Sequence, residues 1–332
     1  MGDIMITRIS VYQGYGVDPH ENLAIEKHLL DTVEPNQCIL YLWQNQNTVV
    51  IGRNQNPWVE CRTTLLEEEG GKLSRRLSGG GAVFHDLGNL NFTFLVSSEN
   101  YDVDKQLSVI QKACSMVGIT AEKSGRNDLL TQGCKFSGNA FYQSKGNAYH
   151  HGTLLIDVNM EKLGRYLSPS KAKLEAKGVQ SVRSRVINLK DLAPELTCEQ
   201  MRTLMVAGFE AVYGLTADAI TLTEKELTQI QQTAQFNRSW DFLYGTPLPF
   251  TFSCEERFPW GSLNLQLQTK SGQIIAVKAY SDAMDWELSE TVQQALTGCR
   301  FTLSDMQQAL QQAIPQADLA ADICQMLEKQ DL

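Results

Sequence analysis

The stretch "RRLSGGGAVFHD", Arg75 to Asp86, sets two arginines and three successive glycines within twelve residues. Glycine gives up more backbone freedom on folding than any other residue, so a run of three needs a return. One return is a nest of successive main-chain N–H groups that binds an anion. The run is not a P-loop, which needs a later Gly-Lys-Ser/Thr, nor a G-x-G-x-x-G dinucleotide fingerprint. Arg75 and Arg76 lie on a strand that enters the glycines, so their side chains point to opposite faces and one of them reaches the pocket. Its guanidinium offers a permanently charged planar fork to phosphate or carboxylate. A tight turn flanked by solubilising arginines accounts for the same glycines; the arginines tip the balance towards an anion site.

A second cluster is "SGRNDLLTQGCKFSGNA", Ser124 to Ala140. Asn127 and Asp128 supply oxygen acceptors for hydroxyls or a magnesium ion. Lys135 opens a strand and places a compact positive charge where that strand leaves its loop, although most lysines at strand ends simply face solvent. In the third cluster, "HHGTLL", His150 and His151 are adjacent on a strand and face opposite ways, which suits a buried structural histidine better than a shared metal. The eight cysteines show no C-x-x-C and no neighbouring histidine, so they read as reduced thiols.

The elements that position these clusters follow from periodicity and turn residues. "CILYLW" and "TVVIG" read as a strand pair across the polar turn "QNQN". Asn56-Pro57 opens a helix over "PWVECRTTLLEEE", closed by Gly70-Gly71. "KLSRRLS", "AVFHD" and "LNFTFLVS" are strands, with Gly88 between the last two, and a helix covers Val103 to Val117. "KFSGNAFYQ" and "AYHHGTLLIDV" flank the hairpin signal "SKGN". Helices inserted between hairpins predict an α+β domain with a mixed or antiparallel sheet, rather than a doubly wound one. "YGTPLPF", Tyr244 to Phe250, is the linker, which gives domains of 1–246 and 250–332. Beyond it, "SLNLQLQT" and "QIIAVKAY" are strands turning at Ser271-Gly272. Helices near Glu287–Thr297 and Thr302–Ala313 complete a small α+β appendage.

The chain has 332 residues, 42% of them hydrophobic, and a net charge of −9. That balance argues against broad nucleic-acid or anionic-membrane binding. No apolar run approaches the roughly 18 residues of a membrane span, and no apolar signal core opens the chain, so a cytoplasmic protein is expected. Composition and spacing stop at an anion-binding α+β protein.

Taken together, "NLAIE", "TVVIGRNQNPWVEC", "RRLSGGGAVFHDLGN", "SGRNDLL", "KFSGNAFY", "HHGTLL" and "KGVQSVRSRVINL" resemble the lipoate–protein ligase A family, within the biotin/lipoate ligase superfamily. They stand in the family's order from about residue 20 to residue 190, and "RFPWG", Arg257 to Gly261, resembles the accessory domain of its long members. The resemblance implies two steps. Lipoate and Mg-ATP form lipoyl-AMP and pyrophosphate; a lysine of an acceptor then attacks the anhydride, leaving an amide and AMP. Acceptors would be lipoyl domains of 2-oxoacid dehydrogenase complexes (their E2 subunits) or the glycine cleavage H protein, and the ligase would be a monomer.

By the same resemblance, Arg76, Gly81, Ala82, Val83, Phe84 and Lys135 bind ATP, and Lys135 contacts both substrates as the catalytic residue. Lys135, Gly80, Gly81, His85 and His151 surround lipoate, and Asn127 and Asp128 contact the adenylate or Mg2+. "KGVQSVRSRVINL", Lys177 to Leu189, forms a mobile loop near the adenylate. The nearest rival is an ATP-independent octanoyl- or lipoyl-transferase that works through a cysteine thioester, for which Cys134 beside Lys135 is the visible thiol. A non-catalytic binder of acyl-adenylate or of a lipoyl domain is a further alternative. A biotin ligase is disfavoured because its "GRGRxGR"-type motif is absent.

Overall fold

The first eleven strands are β1 (Arg8–Gln13), β2 (Gln37–Trp43), β3 (Thr48–Ile51), β4 (Lys72–Arg75), β5 (Val83–His85), β6 (Asn89–Ser97), β7 (Glu122–Ser124), β8 (Asp128–Thr131), β9 (Cys134–Ser144), β10 (Asn147–Leu155) and β11 (Ala217–Ala219), and β-branched and aromatic residues are frequent in β2, β3, β5 and β6. The computed structural model describes residues 5–125, 128–167, 186–245, 252–270 and 272–330. These fall into two units. One comprises Met1–Val50, Cys61–Arg75 and Val83–Leu243; the other comprises Ile51–Glu60, Arg76–Ala82 and Tyr244–Leu332.

The first unit is built on an eight-stranded sheet in the order β11-β1-β2-β6-β10-β9-β8-β7. β1 runs parallel to β2 and β11, and the remaining pairings are antiparallel, so the sheet is mixed, as expected. Its two faces differ in chemistry. On one, Leu40, Phe92, Phe94 and Phe136 pack with Val109, Ile110, Met205 and Phe209 of the helices Val103–Ser115 and Cys198–Tyr213. The other face carries Tyr41, Trp43, Asn91, Thr93, His151 and Thr153, in register across β2, β6 and β10. It is partly covered by the helix Pro19–Thr32, which buries Asn22 and Glu26. That helix starts at Asp18, whose carboxylate accepts from the His20 and Glu21 N–H groups.

Several expectations need correction. β2 and β3 both form but do not pair: β2 sits between β1 and β6, whereas β3 joins β4 and β5 in a small sheet. All seven residues of β2 are buried, a pattern that suits a central strand covered on both faces and not half of an exposed hairpin. Its "QNQN" connection is held inward, because Asn45 is fully buried and accepts from Asn22 Nδ2 at 3.0 Å. The single helix after Asn56 is two short ones, Pro57–Glu60 and Thr63–Glu68, interrupted where Cys61 bridges Leu167. "KLSRRLS" is a strand only to Arg75. The β9–β10 hairpin forms as read, with Lys145 and Gly146 at positive φ in its turn.

In the second unit β12 (Phe252–Phe258), β13 (Gly261–Lys270) and β14 (Gln273–Ser281) form an antiparallel sheet. β13 alternates buried and half-buried residues along "GSLNLQLQ", which directs Leu263, Leu265 and Leu267 into the core. Helices Leu288–Leu296, Leu303–Ala313 and Ala317–Glu328 supply Val292, Leu296, Leu310, Ile323 and Leu327 to the same core. The third of these helices was not anticipated. Residues 246–250 of the expected linker lie outside the described residues.

Candidate functional site

Lys135 stands at the start of β9, where a register irregularity between Leu129 and Leu130 of β8 sets Lys135 opposite Leu130 and Ser137 opposite Leu129. The irregularity re-aims the lysine. Its ammonium lies over Gly138: a Cβ at that glycine would be 3.0 Å from Nζ and 3.2 Å from Cε. Thr153 Oγ1 accepts the Gly138 N–H at 3.2 Å, which places the lysine on the polar face beside β10. Asp128, first residue of β8, pairs with Lys135 at 2.6 Å, and both side chains keep about a third of their surface in solvent (35%). The Lys135 carbonyl accepts from the Ile187 N–H at 2.9 Å, fixing the strand from its other edge. Lys135 and Asp128, expected to share a site, are therefore in direct contact. Asn127 and most of "KGVQSVRSRVINL" lie outside the described residues.

His151 and His150 point to opposite faces, as expected. On the polar face His151 Nδ1 lies 2.8 Å from Glu26 Oε1, which also accepts from Thr93 Oγ1 at 2.8 Å; Thr93 Oγ1 in turn accepts from Trp43 Nε1 at 3.0 Å. His150 is enclosed by Phe92, Phe94 and Phe141. Burial, assisted by the neighbouring His151 and Lys123, pushes its pKa down to about 3, so the ring is neutral. A neutral ring donates through one nitrogen only. Asn139 Oδ1 lies 2.8 Å from Nε2 and Gln106 Oε1 lies 3.1 Å from Nδ1, so the neutral ring donates to one of these two amide oxygens. His85 is buried, with Nδ1 3.1 Å from Asn45 Nδ2 and its ring edge-on to Trp43. Val83 lines the same side of β5 as His85 and is half-buried, whereas Phe84 turns the other way onto Tyr166.

The glycine loop belongs to the second unit. Arg76 is buried (6% exposed) and folded back onto it: Nε donates to Ser78 Oγ at 3.1 Å, and one terminal nitrogen donates to Gly79 O at 2.6 Å and Gly81 O at 2.8 Å. Arg75 diverges, donating to the carbonyls of Phe242 and Leu243. The two arginines thus separate as a strand requires, but Arg76 clamps the loop that was expected to clamp phosphate with it. Gly80 adopts φ +88, and its N–H donates to Ala283 O at 3.0 Å. The expected open nest is therefore closed in this conformation. Gly81 and Ala82 are half-buried.

Glu26, Gly138 and Thr153 were not anticipated. "NLAIE" on a helix contained the signal for Glu26, a carboxylate four residues beyond Asn22 on the buried stripe, yet only the packed sheet supplies its histidine. Burial pushes the thiols of Cys38, Cys61 and Cys114 up to about 12, whereas Cys134, the thiol beside Lys135, is half-buried. No helix among the described residues is long and apolar enough to cross a membrane.

Residues 18–210 match the family model described as the lipoyl protein ligase A/B catalytic domain, and residues 248–329 match the bacterial lipoate protein ligase C-terminus. The lipoate-protein ligase A of Bdellovibrio bacteriovorus is 40% identical over 311 residues, covering 91% of each chain. That of Psychrobacter cryohalolentis is 39% identical over 307 residues, 90% of this chain and 91% of the relative. Among solved structures, P. falciparum LipL1 in complex with lipoate superposes with a TM-score of 0.86 at 27% identity, over 97% of this chain and all of that one. A lipoate-protein ligase A bound with ATP shares the fold, with a TM-score of 0.63 at 22% identity, over 73% of this chain and 99% of that one.

Proposed function

The chain belongs to the lipoyl protein ligase A/B family, and from that premise we propose that it activates lipoate with ATP and passes the lipoyl group to a lysine of an acceptor protein. In the first step a lipoate carboxylate oxygen attacks the α-phosphorus; the new O–P bond forms lipoyl-AMP as the bond to pyrophosphate breaks. In the second, the neutral amine of the acceptor lysine attacks the acyl carbon, an amide forms as its nitrogen gives up one proton to water, and AMP leaves with the electron pair of the anhydride bond. Two anions must meet in the first step, so charge neutralisation and alignment are what the protein must provide.

The observation that carries this reading is Lys135, a lysine held over Gly138 and facing Asp128 on the polar side of the sheet. Arriving carboxylate and α-phosphate oxygens take the place of Asp128 around its ammonium, and the freed Asp128 carboxylate is available to the Mg2+ that accompanies the triphosphate as substrate. Arg76 shapes the loop through Gly79 and Gly81 and contributes positive charge to the nucleotide. Gly81, Ala82, Val83 and Phe84 form the nucleotide's main-chain run, and Gly80 and Gly81 border lipoate. The C8 chain of lipoate gains roughly 0.8 kcal/mol per buried methylene, so octanoate is accepted as well. His85 and His151 border this apolar tail. Lipoyl domains of E2 subunits and the H protein are the acceptors, and the eight free cysteines suit a reducing cytoplasm.

Pyrophosphate release measured with and without lipoate tests the proposal. Release that depends on lipoate, and is lost in a folded Lys135→Ala variant, is the expected result. Lipoate-independent release, or near-wild-type release by the variant, removes Lys135 from the reaction. A covalent thioester adduct seen by mass spectrometry after incubation with an acylated carrier would instead identify a transferase.

A further inference from the structure

The glycine loop is filled by the chain's own backbone, all of it within the second unit. Ala283 O accepts the Gly80 N–H at 3.0 Å, and a Cβ on Gly79 would lie 2.3 Å from that oxygen and 2.9 Å from Met284 O. Met284 Sδ stands 3.2 Å from the Cβ position of Gly80. From the other side Gly261, at φ +150, leaves room for Ala283, whose Cα would be 2.9 Å from a Cβ there. Gly52 lets Gly80 O approach to 2.2 Å of its own Cβ position. Gly79 and Gly261 thus admit the 283–284 backbone from two sides, and a carbonyl oxygen sits where an anion-binding nest would receive a phosphoryl oxygen.

We propose that the segment 281–286 is a latch that competes with the nucleotide's phosphates for the glycine loop, so that ATP binds the protein only with the latch withdrawn. The inference rests on the ATP reading above. One main-chain N–H serves one strong acceptor, and Gly79 has no volume left for a second.

The latch has separable anchors. Its root is at the β12–β13–β14 sheet, where Asp282 accepts from Ser262 N at 2.6 Å and Ser262 Oγ at 2.9 Å. Its fasteners reach the "GRNQN" segment: Ser281 N donates to Asn54 O at 3.0 Å, Asn54 Nδ2 donates to Trp286 O at 2.8 Å, and the Arg53 guanidinium stacks 4.8 Å over the Trp286 ring. Removing Asn54 and Trp286 side chains loosens the fasteners and spares the root.

The test compares MgATP binding to the full-length wild type and to Asn54→Ala/Trp286→Ala by titration calorimetry, with hydrogen exchange of the wild type in parallel. Apparent affinity scales with the open fraction, so the variant should bind MgATP about fivefold more tightly or better. MgATP should also speed amide exchange across 281–287 in the wild type. Unchanged or weaker binding by a variant with wild-type circular dichroism overturns the latch. Should the variant not fold, the wild type decides: MgATP binding that leaves exchange over 281–287 unchanged overturns it equally. Binding by the variant alone supports the latch. Binding by neither protein overturns the nucleotide reading, and the latch with it.

Discussion

Gly138 is defined by what stands above it. The Lys135 side chain runs forward along its own strand, and the absent Cβ leaves the ammonium its place, 3.0 Å from where that carbon would be. Valine there projects further and moves the ammonium by on the order of 1 Å, a displacement that can cost about 10²-fold in rate at a positioned group. Gly138→Val should therefore lower lipoate-dependent pyrophosphate release about a hundredfold at an unchanged melting temperature. Release within about threefold of wild type would show that Lys135 acts from a different rotamer. At this scale Lys135 and Asp128 were legible because their motifs are local. The contacts of Arg76 were not, since a guanidinium prefers whichever oxygens surround it. In this chain those include the carbonyls of Gly79 and Gly81. The Glu26–His151 contact joins residues 125 apart and has no local signature.

Among the elements, the helix Cys198–Tyr213 shows how much a local pattern leaves unsaid. Its capping box, Thr197 with Gln200, and its left-handed Gly214 terminus are written in the sequence. Its most consequential residue is Arg202, a buried arginine whose guanidinium donates to Leu42 O at 2.9 Å, Gly14 O at 3.0 Å and the side-chain oxygens of Gln13 and Gln44. It closes the ends of β1 and β2. Arg202→Met leaves those carbonyls short of a donor in a buried place, and stability should fall by about 2–3 kcal/mol. Urea unfolding measures it; a change below about 0.5 kcal/mol would mean that water or neighbouring amides take over the acceptors. Strand pairing was less readable than strand existence. β2 and β3 adjoin in sequence but belong to different sheets, and burial of every β2 residue becomes visible only when the sheet is assembled. The helix Ala317–Glu328 was missed because Gln316 offers it no side-chain cap, so its start carries no signal.

At the scale of the whole molecule, two prolines suggest a boundary at 246–250, whereas the C-terminal part of the second unit starts at Tyr244 and takes in 51–60 and 76–82, a grouping that no local signal carries. It depends on contacts such as Gly80 with Ala283, between residues 203 positions apart. Global stability carries a further consequence of burial. His20 is pushed down to about 4, chiefly by desolvation, which outweighs the nearby Asp18 carboxylate, and His150 is pushed down to about 3. Their ordinary value is 6.5, so between 6.5 and these lowered values the unfolded chain binds more protons than the folded one. Stability must then rise with pH across that window and drain away as the solution is acidified, by up to about 1.4 kcal/mol per pH unit for each histidine. Below about 3 both states carry the protons and the histidine contribution to the slope ends. Urea unfolding from pH 7 to pH 4.5 should show the loss, and His150→Gln should remove close to one proton from the slope, whatever it does to stability at pH 7. An identical slope in wild type and variant would mean that His150 is protonated inside the fold, and that the ring among Phe92, Phe94 and Phe141 is a cation.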